Sequence, residues 1–141
     1  IYELLDTIVI ESVRDNKKCK PYEIEHIWSN HPEWHSDEFP QKSDFDVWRN
    51  KIGDLVLLQN GTNQSLNDKS VKDKLPIYFG QNTLTKSLSE QAYKNNPNFT
   101  NFIKNEELNF VGYTDIKKEN IEERCQLYAD LANKIWSVTL D

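Results

Sequence analysis

The sequence predicts an α+β domain that is mainly helical. Three observations carry that expectation. Apolar residues recur every three or four positions near both ends of the chain. Two short apolar stretches, residues 23–28 and 55–58, have the β-branched and aromatic make-up of strands. A turn signal and a short helical stretch follow the second of them, giving the order strand, loop, strand, turn, helix over residues 22–75. At 141 residues the chain is one domain's worth, enough to bury a single core.

Each element has its own local reason. Residues 1–14 set Ile1, Leu4, Leu5, Ile8 and Val9 at helical spacing, so a helix packed along one face is expected. Residues 15–21 are polar and end in Pro21, which makes a loop; its lysines are read as solvated. Residues 29–40 contain Pro32 and Pro40 and read as irregular, which makes His31 and His35 exposed loop histidines. Residues 43–51 suit a short helix capped by Ser43, with Phe45, Val47 and Trp48 inside it. Gly53 interrupts the pattern before the strand at 55–58, and Asn60-Gly61 is a turn signal. Residues 69–75 form a helix that should end before Pro76. Short helices are expected over 86–93 and 98–104, separated by Asn95-Asn96-Pro97. In the last element Ile121, Cys125, Tyr128, Leu131, Ala132 and Ile135 repeat at helical spacing. A helix over 116–136 follows, with Thr114 or Asp115 as its N-cap and Glu119, Glu122 and Glu123 near its start.

Composition narrows the function classes. The formal net charge is -6 with 28% charged residues, which counts against a module that coats duplex DNA through a basic face. There is no long apolar run to cross a membrane, and the first ten residues lack a basic leader and carry Glu3 and Asp6. Cys19 and Cys125 are too few for a four-thiolate zinc site, and a reduced, cytoplasmic setting is the simpler expectation. Three glycosylation-type triplets, at Asn60, Asn63 and Asn98, are discounted for want of a secretion signal. The chain begins with Ile and has no Met, so it is expected to be an excised C-terminal piece of a larger protein, a single domain over 1–141 with a partner domain upstream.

The residues with chemistry to offer begin at Glu25-His26. A carboxylate is a hard ligand for Mg²⁺, and a neutral imidazole beside it can take a proton from an attacking water. Neighbours in a strand face opposite ways, so the two converge only at a strand end or a bulge. An exposed glutamate beside a half-buried, hydrogen-bonded histidine is the structural alternative for an isolated pair.

Further segments extend the pattern: Gly53-Asp54-Leu55-Val56-Leu57-Leu58, then Asn63, then Lys72 and Lys74, and late in the chain Ile121-Glu122-Glu123-Arg124 with Trp136. With Glu25-His26-Ile27 in front, this order resembles the HNH (His-Asn-His) endonucleases of the ββα-metal (His-Me finger) fold. Among them it is similar to the C-terminal nuclease domain of GmrSD-type modification-dependent restriction proteins, over nearly the whole chain. The resemblance implies a ββα-metal core wrapped by several helices and a metal-dependent DNA endonuclease of a bacterial restriction or anti-phage system. It implies His26 as general base, Glu25 and Asn63 as ligands of Mg²⁺ or Mn²⁺, and Lys74 or Lys72 as the phosphate contact. It also implies an upstream ParB-like nucleotide-hydrolysing domain.

This sequence departs from the family's pattern in two places. Asp54 stands where the family has the middle Asn, which supports the loop around the histidine, and the Pro that often follows the His-Ile pair is absent, Pro32 being the nearest. An amide both donates and accepts, whereas an ionised carboxylate only accepts. Asp54 therefore supports a rival expectation, a catalytically silent interaction or DNA-binding domain that keeps the fold.

Overall fold

The computed structural model describes residues 22–59 and 61–137. Strand β1 (Tyr22–His26) leads through a 3₁₀ turn (Pro32–His35) into helix α1 (Lys42–Arg49). A second 3₁₀ turn (Ile52–Asp54) opens strand β2 (Leu55–Gln59), and a third (Asn63–Ser65) precedes helix α2 (Val71–Tyr78). Helix α3 (Thr83–Lys86), a 3₁₀ turn (Glu90–Tyr93), helix α4 (Pro97–Asn105) and the long helix α5 (Lys118–Trp136) complete the order. Among the described residues the chain is thus α+β, with one two-stranded antiparallel sheet among mostly helical elements. No helix among the described residues is long and apolar enough to cross a membrane.

The strands pair in the register Tyr22↔Gln59, Glu23↔Leu58, Ile24↔Leu57, Glu25↔Val56 and His26↔Leu55. Side chains alternate across a strand, so Glu25, Val56 and Leu58 turn inward and are buried, whereas Ile24 and Leu57 turn out and are exposed. A two-stranded sheet is marginal alone and needs a covered face. The covering core gathers Trp28, Phe45, Leu66, Leu75, Tyr78 and Ile121 around Val56 and Leu58. Trp28, with no exposed surface, sits against the rings of His35, Phe39 and Phe45 and donates its indole N–H to the Ile116 carbonyl at 2.8 Å. A second cluster of Leu108, Phe110, Leu127 and Leu131 holds α4 to the far half of α5.

Helix α5 docks onto the start of β2. Arg124 donates through Nε to the Gly53 carbonyl at 2.6 Å, and the Tyr128 hydroxyl donates to the Leu55 carbonyl at 2.8 Å. Glycine is required at 53 by closeness: a Cβ there would strike the Ile121 carbonyl oxygen and approach Cys125 Sγ to 2.9 Å.

Several local expectations need correction. Helix α2 does not stop before Pro76 but runs through it to Tyr78. The missing proline N–H costs one helical bond, while the added turn buries Tyr78, and Ser70 caps the start by accepting from Asp73 N. Helix α1 starts at Lys42, so Ser43 lies inside it and caps nothing. The expected helix over 86–93 is two elements, α3 and a 3₁₀ turn. Lys117 rather than Thr114 or Asp115 is the N-cap of α5, and Asp115 Oδ1 instead accepts from Ile116 N. His35 is not an exposed loop histidine: it is buried against Trp28 and Phe45. The expected helix over 1–14 and the loop over 15–21, with Cys19, lie outside the described residues.

The contact at Gly53 yields a direct test. Gly53→Ala forces β2 and α5 apart, and overpacking of this kind costs about 1–3 kcal/mol. Urea unfolding should show a lowered midpoint, whereas Gly80→Ala, whose Cβ would meet only the Ile77 carbonyl at 3.5 Å, should change far less.

Candidate active site

His26 ends β1 on the open side of the sheet and is partly buried. Its Nε2 lies 3.2 Å from Asn50 Oδ1, at the C-terminal end of α1. The Asn50 amide is itself oriented, because its Nδ2 donates to the Asp46 carbonyl at 2.8 Å. An amide oxygen only accepts, so this contact assigns the ring proton to Nε2 and leaves the Nδ1 lone pair as the basic atom. Burial is the main cause holding the imidazole below its ordinary pKa. The Arg49 charge adds to that shift, the Asn50 bond opposes it, and Lys74 contributes a little more. The neutral ring is the form that accepts a proton.

Asp54 governs where the strand ends. Its carbonyl accepts from Ile27 N at 2.8 Å and its Oδ1 accepts from Trp28 N at 3.0 Å. Two successive amides beyond His26 are thus tied to one residue, and Arg49 Nε ties the next group, the Trp28 carbonyl, at 2.9 Å. Asp54 has no exposed surface, and burial drives its carboxyl well above the ordinary range. The Trp28 amide and the charges of Arg49, Lys74 and Arg124 pull the other way without prevailing. Burial therefore favours the protonated acid, which carries one donor and one acceptor as an asparagine amide does. Oδ2 has no hydrogen-bond partner among the described residues.

Glu25 and His26 face opposite sides of β1. The Glu25 carboxylate is buried and accepts from Lys74 Nζ at 2.6 Å and from the Tyr78 hydroxyl at 3.4 Å. Lys74 is 1% exposed, and its ammonium also donates to the His26 carbonyl at 2.8 Å. Burial lowers the Lys74 pKa, with Glu25 opposing. Lys74 is thus a brace from α2 to the end of β1, and the expected phosphate contact through it is not available while it is buried. Lys72, two residues earlier and exposed, keeps that possibility.

Asn63 lies against β1. Its Nδ2 donates to the Ile24 carbonyl at 3.2 Å and to Glu23 Oε2 at 3.4 Å, so it sits beside the strand just before His26. Its Oδ1 is buried and has no partner among the described residues. A buried acceptor without a donor is costly, and a hard cation would satisfy it. Glu23 and Glu25 share one face of β1, roughly 7 Å apart along the strand at two residues' rise. Asn63 Oδ1 is thus a candidate ligand, whereas Glu25 could join it only by leaving its lysine counterion. Among the described residues no three of His, Cys, Asp and Glu come together as a ligand group.

The sequence pattern brought out His26, Asp54, Glu25, Asn63 and Lys74, and the structure sets all five along β1 or directly against it. It missed Arg49 and Asn50. Their only trace in the sequence is a polar pair closing a short helix, which many helices share.

A half-buried imidazole at a strand end that the following helix braces is an arrangement compatible with a nuclease, and that class is given by the family to which the chain belongs. Within that class the chain belongs to the GmrSD restriction endonucleases, C-terminal domain, whose pattern matches residues 3–131. Comparison with curated proteins and with solved structures gives no match.

The raised pKa of Asp54 sets a stability test. The folded chain holds this proton more tightly than the unfolded one, whose carboxyl titrates near 3.9. The contribution of Asp54 to stability is therefore largest below about pH 4 and is lost as pH rises towards the raised folded value. Asp54→Asn keeps an acceptor for Trp28 N and does not titrate. Urea midpoints should show wild type losing ground to Asp54→Asn as pH climbs from 4 to 8, and a constant difference would contradict the assignment.

Proposed function

We propose that this domain is an HNH-type endonuclease with a ββα-metal core, formed by β1, β2 and α2, that hydrolyses phosphodiester bonds in DNA. The observation that carries the reading is the His26 ring at the end of β1, held by Asn50 through Nε2, with Asn63 bonded through Nδ2 to Ile24 two residues earlier in the strand. In this reading His26 Nδ1 takes the proton from the attacking water. Asp54 and Arg49 hold the backbone from Ile27 to Trp28, so the ring projects from a fixed strand end. Lys72 approaches a substrate phosphate. Asn63 Oδ1 and Glu25 are the residues that would hold Mg²⁺ or Mn²⁺, and Lys74 neutralises Glu25 otherwise. Bound there, the ion supplies charge stabilisation for the phosphate and the departing 3′ oxygen. The setting is a cytoplasmic bacterial restriction or anti-phage system, with a ParB-like nucleotide-hydrolysing domain upstream in the same protein.

A second reading is favoured by one observation, the burial of Glu25 against Lys74. A carboxylate already neutralised by lysine suits a domain that keeps the fold for interaction or DNA binding without catalysis. Plasmid nicking separates the two. The nuclease reading expects metal-dependent nicking that EDTA abolishes and that His26→Ala lowers by about 10²–10⁴-fold, the span of general-base catalysis. Asn50→Ala should lower it by less, since the base remains but loses its orientation. Equal nicking by wild type and His26→Ala would remove His26 from the chemistry, and no nicking by wild type with metal would support the silent domain.

A further inference from the structure

We propose that the cavity between the start of α2 and the Pro32–His35 turn, which shares Lys72 with the proposed active site, binds one nucleotide unit of a nucleic-acid strand, phosphate on Lys69 and Lys72 and base on Trp34. The cavity measures about 200 Å³. It is smaller than the roughly 300–1,000 Å³ of sites for drug-sized ligands, so a single base or phosphate group is the scale of guest it admits. Its wall carries Lys69, Lys72 and Lys117 against one acid, Asp115. Three lysines around one small hollow stand out in a chain of net charge -6.

The lysines are not spoken for equally. Lys117 shares its charge with Asp37 at 3.6 Å. Lys69 and Lys72 are exposed and carry no ion pair among the described residues. Lys72 lies in the first turn of α2, whose amides add partial positive charge on the same side. Across the hollow, Trp34 is 45% exposed, a large apolar surface that the fold leaves open. One face of its ring is stacked on His31 at 4.1 Å, and His31 is fixed in turn by Glu33 at 2.7 Å and Asp68 at 3.5 Å. A braced indole with a free face is a stacking platform, and every base has a face to stack. Buried His35 forms part of the floor, and its Nδ1 has no hydrogen-bond partner among the described residues. An acidic peptide would use the lysines but leave the indole idle. A nucleotide uses both.

The proposal rests on the nucleic-acid reading of this domain, though not on catalysis at His26, and binding measured in EDTA separates the two. The test uses the 141-residue chain and a short fluorescent single-stranded oligonucleotide of mixed sequence, titrated at several salt concentrations. Lys69, Lys72 and Trp34 are all exposed, so their replacement leaves the core intact. Lys69→Ala should weaken binding and flatten the plot of log affinity against log salt by roughly 0.7 for each phosphate no longer neutralised. Trp34→Ala should weaken it roughly tenfold with the salt slope unchanged. Wild-type affinity in both variants would overturn the proposal, whatever the outcome of nicking assays. Competition by polyglutamate as effective as that by the oligonucleotide would also overturn it, assigning the cavity to acidic protein instead.

Discussion

The two hydrogen bonds by which Asp54 ends β1 are the constraint on which the rest depends. Ile27 and Trp28 donate their amides to one residue at the mouth of β2. That fixes the register of the strand pair at its far end, sends Trp28 into the core and leaves His26 at the edge. Without those bonds, two adjacent amides would be buried and unpaired, at a cost of about 1–3 kcal/mol each. The surrounding structure is arranged to serve them. Gly53 lets α5 close on this corner, Arg124 holds the Gly53 carbonyl, and Arg49 takes the Trp28 carbonyl.

The inner side of the strand end is closed by charge. Lys74 joins the Glu25 carboxylate and the His26 carbonyl from a position with almost no exposure. Buried pairs of this kind contribute little net stability, because desolvating both ions offsets most of their attraction, but losing one partner is expensive. The pair therefore acts as a locator, tying α2 to the strand that carries the histidine. It also sets a condition on the chemistry, since any metal ion that uses Glu25 must share or replace the ammonium.

Much of this arrangement is legible in the residues alone. The strand stretches at 23–28 and 55–58 and the periodic run ending at Trp136 are dictated by local apolar pattern, and they form within a few residues of expectation. Pro76 misleads because its missing N–H does not end the helix, which runs on to bury Tyr78. His35 misleads because prolines mark a loop but do not say which loop side chains the core will take; Trp28 and Phe45 take this one. At the site, residue types are readable and partnerships are not. The family resemblance makes Lys74 a phosphate contact, but the fold buries it. Asn50 gives no signal, since its role exists only once α1 folds back on the end of β1. Asp54 looks like a damaged asparagine, yet burial alone moves it towards the neutral form that resembles one.

The direct measurement is a crystal structure of this domain grown in Mn²⁺, with the ion located by its anomalous scattering. The account predicts one ion coordinated by Asn63 Oδ1 and Glu25, with the Lys74 ammonium drawn off the carboxylate. A Glu25–Lys74 pair still closed at 2.6 Å, with no ion at the Asn63 oxygen, would contradict it.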